Sequence, residues 1–303
     1  MIKNILIALT LISFMTSIAF ASGPGLKPIP ANTDPNCITN PNDPYEPRVR
    51  MVTGPDKGVC VNSTLRRSVK ALLGAEATKY FPAADGKIVV ANFSHKNKYW
   101  IAEIPLSSMT DMILQSEHFP MVNKPVKIEI DHTQIHFAFS EPIHLISQAT
   151  DGPRETLELY DLILSEENIG PYGEAFDFFG GAKGHFNVAY RVVSLEDKYN
   201  WMIAEQGHTV SQRRFNLNQF NQISYLLEGI KRGTEYGSGR PYDSFNLNCS
   251  TELLDILNVV LGTDKFSTVG FISNRLPTML DSLNVLEAEK MPTFNETYKN
   301  LRK

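Results

Sequence analysis

The stretch Tyr242-Asp-Ser-Phe-Asn-Leu-Asn-Cys249-Ser-Thr-Glu-Leu-Leu-Asp-Ile-Leu257 decides how this chain is read, because a polar turn runs there directly into an apolar helix. Leu253, Leu254, Leu257, Val260 and Leu261 recur at helical spacing and make one face for burial. Cys249 opens that helix. Unsatisfied N–H groups and the dipole at a helix start stabilise a thiolate, which is the nucleophilic form of cysteine. Of the three cysteines, Cys37 and Cys60 share one short segment and can satisfy each other, so a Cys37–Cys60 bridge is expected and Cys249 is left over. An odd thiol in an exported chain is buried, paired between molecules, or reactive.

Export is read from the first residues. Lys3 supplies the positive start, Ile5 to Phe14 a short apolar core, and Ala19-Phe20-Ala21 a small-x-small cleavage site, so residues 1–21 form the expected signal peptide with cleavage after Ala21. No later segment approaches the ~18 consecutive apolar residues of a membrane helix. The expected location is periplasmic or secreted, a compartment in which a disulfide persists. With 42% apolar residues, 20% charged residues and a formal net charge of -4, the composition is that of an ordinary globular protein and offers no basic surface for nucleic acid.

Outward from the cysteine helix, the chain divides into four further parts. Residues 22–62 form an arm carrying eight of the eighteen prolines, which excludes long helices and central strands. Residues 63–150 read as mostly β. Leu65 to Leu73 suggests a short helix stopped by Gly74. Lys87 to Phe93 and Tyr99 to Ile104 suggest a hairpin, and Val126 to Ile130, Gln134 to Phe139 and Ile143 to Ser147 further strands. Residues 151–285 hold the patterned half, and 286–303 a C-terminal tail. In the patterned half Leu157 to Leu164 reads as a strand, followed by a Gly-rich turn through Gly184. His185 to Val193 reads as a second strand and Trp201 to Glu205 as a third beside it. Asn216 or Asn218 caps a helix with Phe220, Ile223, Leu227 and Ile230 on one face, ending at Gly233. The connector from Tyr236 to Tyr242 is a simple link or a lid over the cysteine. The fold class is α+β.

A cysteine nucleophile needs a base within hydrogen-bond reach, usually histidine. His185, after Gly184 at a strand start, is the best placed of the seven histidines. A third polar residue would orient the imidazole, and Asn187, Glu205, Gln206 and His208 are the candidates. Backbone N–H groups around Asn248 and Ser250 at the helix start would stabilise an oxyanion. Asp131, His132 and His136 are metal-ligand types, but no further ligands follow at a suitable spacing, so neither a metal nor another cofactor is expected. Arg213-Arg214 reads as a solvated face.

Three features in order carry a resemblance: Gly184-His185 opening a strand, Arg213-Arg-Phe-Asn-Leu-Asn218 leading into a helix, and Tyr242 to Asn248-Cys249-Ser-Thr with its Leu-rich helix. This series resembles the periplasmic N-terminal domain of the Lnb-type lipoprotein N-acyltransferases, within the circularly permuted papain-like (NlpC-type) thiol enzymes. The likeness covers about Leu157 to Leu261. It implies a papain-like domain whose His strand precedes its Asn-Cys helix, behind a β-rich N-terminal extension, with Cys249 as nucleophile and His185 as general base. One departure is local: Lys183-Gly-His185-Phe-Asn187 stands where the family has Phe-Gly-His followed by Thr or Ser.

The resulting expectation is an exported thiol acyltransferase or acyl hydrolase that forms an acyl-cysteine on lipid-linked or acylated cell-envelope substrates, including lipoproteins. The alternatives are a thiol peptidase or amidase for cell-wall peptide, and a noncatalytic envelope binding module with a buried Cys249.

Overall fold

In the strand Lys87–His95, Val89 and Ala91 face one side and Val90 the other, as two-residue alternation requires. Phe93 then falls on the Val90 side because a bulge between Val90 and Phe93 inserts one residue and resets the parity. The bulge is held at Asn92, whose φ is 64°. Its side-chain amide donates to Tyr45 O and Ser68 O, while its own N–H donates to Gln148 Oε1. Such bulges bend strands, and this one helps curl the sheet.

The structure is a computed structural model that describes residues 36–37, 40–119, 131–173, 176–266 and 275–298. Its strands are β1 (Lys70–Leu72), β2 (Lys87–His95), β3 (Lys98–Pro105), β4 (Met109–His118), β5 (Asp131–Ser147), β6 (Thr156–Ile169), β7 (Asn187–Val193) and β8 (Thr209–Arg214). The helices are α1 (Phe178–Ala182), α2 (Leu195–Tyr199), α3 (Gln219–Tyr236), α4 (Cys249–Leu261), α5 (Leu276–Ser282) and α6 (Phe294–Thr297). The fold is mixed α and β. All eight strands join one sheet in the order β1-β2-β7-β6-β5-β4-β8, and β3 pairs with both β2 and β5. That extra pairing closes β2, β7, β6, β5 and β3 into a five-stranded barrel. Only the β2–β7 contact in the ring is parallel. The long β5 serves both parts: its first half pairs with β4, its second with β3, and the register slips between Ala138 and Ile143.

Leu162, Leu164, Ile135, Phe137, Val192, Trp100 and Ala102 share one core with the helices. Helix α3 contributes Tyr225, Leu226 and Ile230, and α4 contributes Leu253, Leu254, Ile256 and Leu257. Close approach of α3 depends on small residues, since a Cβ on Gly229 would stand 2.3 Å from Leu164. On the opposite sheet face Ile163 and Val193 are covered by Leu195, Tyr199, Met202, Val210 and Phe294. Burying each large apolar side chain contributes roughly 1.5–3 kcal/mol, so both faces of the sheet are stabilised.

Several local expectations are corrected. Leu65 to Leu73 is not helical; after a turn that ends at Leu65 the chain runs into β1, where Val69 N–H donates to Tyr190 O and Ala71 pairs with Val90. Trp201 to Glu205 is not a strand beside His185 but part of a π-helical turn, Asn200–Glu205, that continues α2. β-forming residues there lost to the Ser194 cap, which accepts from Asp197 N–H and starts a helix. Helix α3 starts at the Asn218 cap as one reading had it, but passes Gly233 and ends at Tyr236, before Gly237 at φ 54°. Gly233 is interior because it lets Val69 and Tyr190 approach. The two strands expected around Gln134 and Ile143 are one continuous bent strand. Val126 to Ile130 lies outside the described residues.

Arm and barrel are joined. Cys37 and Cys60 form the expected disulfide. Met51 N–H donates to Val59 O and Val61 N–H to Val49 O, making a short ribbon. Val49, Met51 and Val61 pack on Ile169 and Ala189. The boundary expected at residue 150 falls between β5 and β6, which are neighbours in the same sheet.

Candidate functional site

Asn248 makes the start of α4. Its side-chain oxygen accepts from Ser250 N–H and Thr251 N–H, and Thr251 Oγ1 accepts from Asn248 N–H, a reciprocal capping box. Cys249 is thereby fixed as the first residue of the helix. Its side chain turns inward and is 6% exposed. Thr133 N–H on β5 donates to Sγ at 3.5 Å, and Ser250 Oγ lies 3.9 Å away. Thr133 Oγ1 and Ser250 Oγ are 3.1 Å apart, so the helix start and β5 are joined twice.

This environment holds the thiol neutral. Burial raises its pKa above the ordinary value; the hydrogen bonds from Thr133 and Ser250 oppose the shift, and the charge of Glu166 adds to it. Tyr242 lies close enough for its phenol to be raised first by burial and next by Cys249.

His185 is placed by different contacts. Its N–H donates to Gly180 O, and a Cβ on Gly180 would stand 3.1 Å from its Nδ1. Gly54 of the arm lies so close over Gly184 and His185 that a Cβ there would stand 2.5 Å from Gly184 O. No hydrogen bond joins His185 to Cys249. The strand expected from His185 begins only at Asn187, and His185 lies in the turn ahead of it. Phe186, Val188 and Tyr190 cluster with Tyr242 on the helix side, whereas Ala189 packs on the arm, and Asn187 bonds Arg50 O and Val52 N–H there.

The third-residue candidates are dispersed. Asn187 is fully buried and also donates to Ser238 O. His208 Nδ1 shares a 2.5 Å hydrogen bond with Glu117 Oε1 on β4, under the opposite sheet face. Glu205 and Gln206 are exposed beside the π-helical turn. Asp131, His132 and His136 do not gather: His132 Nε2 bonds Ser165 Oγ at 2.9 Å, and His136 Nε2 bonds Asp161 at 2.6 Å. No group of three or more His, Cys, Asp or Glu arranged to hold a metal is found among the described residues. Arg213 and Arg214 lie in β8, where Arg213 forks onto Asp281 and Arg214 pairs with Asp111.

What does surround the α4 start is a buried ionic cluster that the sequence did not announce. Glu252 Oε2 accepts from Tyr190 Oη at 2.6 Å, Arg232 at 3.0 Å and Arg240 at 3.4 Å. Arg232 also meets Asp255 at 2.7 Å and Glu228 at 3.1 Å. The connector 236–242 is tied down through Arg240. Glu166 on β6 lies beside this cluster, 3% exposed. Burial, then the charge of Glu252, raises its carboxyl to about 8. The Ser165-Glu-Glu167 run at the end of an apolar strand was the available signal, but it does not say which glutamate faces which layer.

No family model, curated protein or solved structure matches this chain. No helix among the described residues is long and apolar enough to cross a membrane.

Proposed function

We propose that the chain is an exported thiol acyltransferase or acyl hydrolase in which Cys249 attacks an ester, thioester or amide carbonyl and carries the acyl group. The observation that carries this reading is the seat of Cys249: first residue of a capped helix, with a backbone N–H directed at Sγ. The N–H groups of Asn248, Ser250 and Thr251 are already bonded within the capping box, so what favours anionic sulfur here is the positive end of the helix together with the Thr133 N–H. The disulfide suits export. Support for an apolar acyl substrate comes from the surface beside the turn into α4. Phe178 meets Phe179 and Phe245 edge-on, and Phe176, Phe179 and Phe245 are exposed. The Lnb resemblance assigns the base to His185. With no bond between them, that role requires the Gly180–His185 segment to shift on substrate binding.

Burial of Sγ favours a second reading, a binding module whose cysteine is structural. Incubation with a phospholipid and lipopeptide extract separates the two. The enzyme reading expects a hydroxylamine-sensitive acyl adduct on Cys249, lost in Cys249→Ser. An unmodified Cys249 that also ignores alkylators in the folded protein leaves the binding module.

A further inference from the structure

We propose that Glu166, in place of His185, is the acid–base partner of Cys249, taking the thiol proton as Sγ bonds to the acyl carbon and delivering it to the leaving group. This rests on the reading of Cys249 as nucleophile. When the acyl–leaving-group bond breaks, the protonated Glu166 supplies the proton. Water or an amine then attacks the thioester, loses a proton to the Glu166 carboxylate, and that proton returns to Sγ.

Placement argues for it. Leu162 and Leu164 of β6 face the helices, so Glu166 continues that face, while Ser165 and Glu167 turn to His132 and to Lys198 on the other. The β5–β6 pairing reaches Ile135 with Leu164, and continuing that antiparallel register by two residues would set Thr133 opposite Glu166. Thr133 is the residue that contacts both Cys249 Sγ and Ser250 Oγ. Glu166, Thr133, Cys249 and Ser250 are all buried, and the charge of Glu166 is felt at Cys249.

Satisfaction and charge agree. Glu166 Oε1 is buried without a hydrogen-bond partner, and so is the Tyr225 hydroxyl from α3, whose titration senses Glu166. Buried polar atoms left so call for an explanation. The groups that act on Glu166 are Glu252 of α4 and its neighbour Glu167, which raise its pKa, and Arg232 of α3, which lowers it; Tyr190 of β7 stands opposite it in register, with Arg240 behind. With its carboxyl raised to about 8, Glu166 is a stronger base once ionised than an ordinary carboxylate would be.

The test is the rate of iodoacetamide alkylation of Cys249 between about pH 6 and pH 10, read by mass spectrometry. Near-UV circular dichroism first establishes that each variant is folded. In the wild type the rate should climb through about pH 8, and Glu166→Gln should remove that limb, slowing alkylation about tenfold at pH 8. An equal or faster rate in Glu166→Gln overturns the proposal, because Glu166 then only repels the thiolate. Glu252→Gln provides a second handle: loss of its charge should move the limb to lower pH, and an unmoved limb also overturns the pairing. If acyl trapping stays empty while the limb depends on Glu166, the acyl-enzyme reading fails and the proton pairing stands.

Discussion

The Tyr190 hydroxyl donates to Glu252 Oε2 across 2.6 Å, tying the middle of β7 to the first turn of the Cys249 helix. The same carboxylate neutralises Arg232 and Arg240, all of them buried. One acidic side chain thus anchors β7, α3, α4 and the connector between the helices.

Truncating Glu252 to Ala leaves two buried guanidinium groups without their shared partner. Breaking a buried pair in this way costs about 3–5 kcal/mol, whereas Tyr190→Phe removes one charge-assisted hydrogen bond at about 1.5–3 kcal/mol. Urea melts of the two variants should rank in that order; a Glu252→Ala loss smaller than that of Tyr190→Phe would show that the arginines find other partners.

Two groups set opposite pH limbs. Glu166 has a folded pKa raised from the ordinary carboxylate value to about 8, so the folded state holds a proton that the unfolded state has released, and stability falls as pH rises from about 4.5 through 8. His132 is lowered to about 3, first by burial and next by Lys198, so the unfolded state binds the proton first and stability falls as pH drops from about 6.5 through 3. Glu166→Gln should flatten the upper limb alone, with each pKa unit worth about 1.4 kcal/mol. Thermal melts across pH that show the same upper slope in both proteins would reject this assignment.

Gly54 has φ 75°, and its missing Cβ would press on the Gly184 carbonyl, a backbone atom that cannot swing away. Gly54→Ala should therefore cost about 1–3 kcal/mol and loosen the arm from the His185 turn. Hydrogen exchange should show the loss of protection at residues 180–186, and unchanged exchange there would mean the contact is dispensable.

Reduction of the Cys37–Cys60 bridge, which spans a separation of 23 residues, should cost about 3 kcal/mol by the loop-entropy account. Val49, Met51 and Val61 should then protect less, while alkylation of Cys249 stays within about twofold, because the arm touches the His185 turn and not Sγ. A large rise in Cys249 alkylation on selective reduction would place the arm in control of the thiol.

By itself the sequence determined the features that depend on neighbours along the chain. A cap at Asn216 or Asn218 is legible because a side chain reaches a backbone N–H only a few residues away, and Asn218 takes that place. The Cys37–Cys60 bridge is legible because those two cysteines share a segment. The strands around Val89, Ile101 and Val188 follow from β-forming composition. Tertiary structure alone decided the rest. The barrel closes through β3 bridging β2 and β5, and the β2 bulge fixes which residues face inward. Trp201 to Glu205 became π-helical once Ser194 started a helix ahead of it. Cys249 met Thr133, 116 residues away, and Glu252 met Tyr190, 62 residues away. Glu166 and Glu167 are adjacent in sequence yet lie in separate layers, because successive side chains of a strand point to opposite faces; only the packing decides that Glu166 faces Glu252 and Arg232 while Glu167 pairs with Lys198 and Arg191.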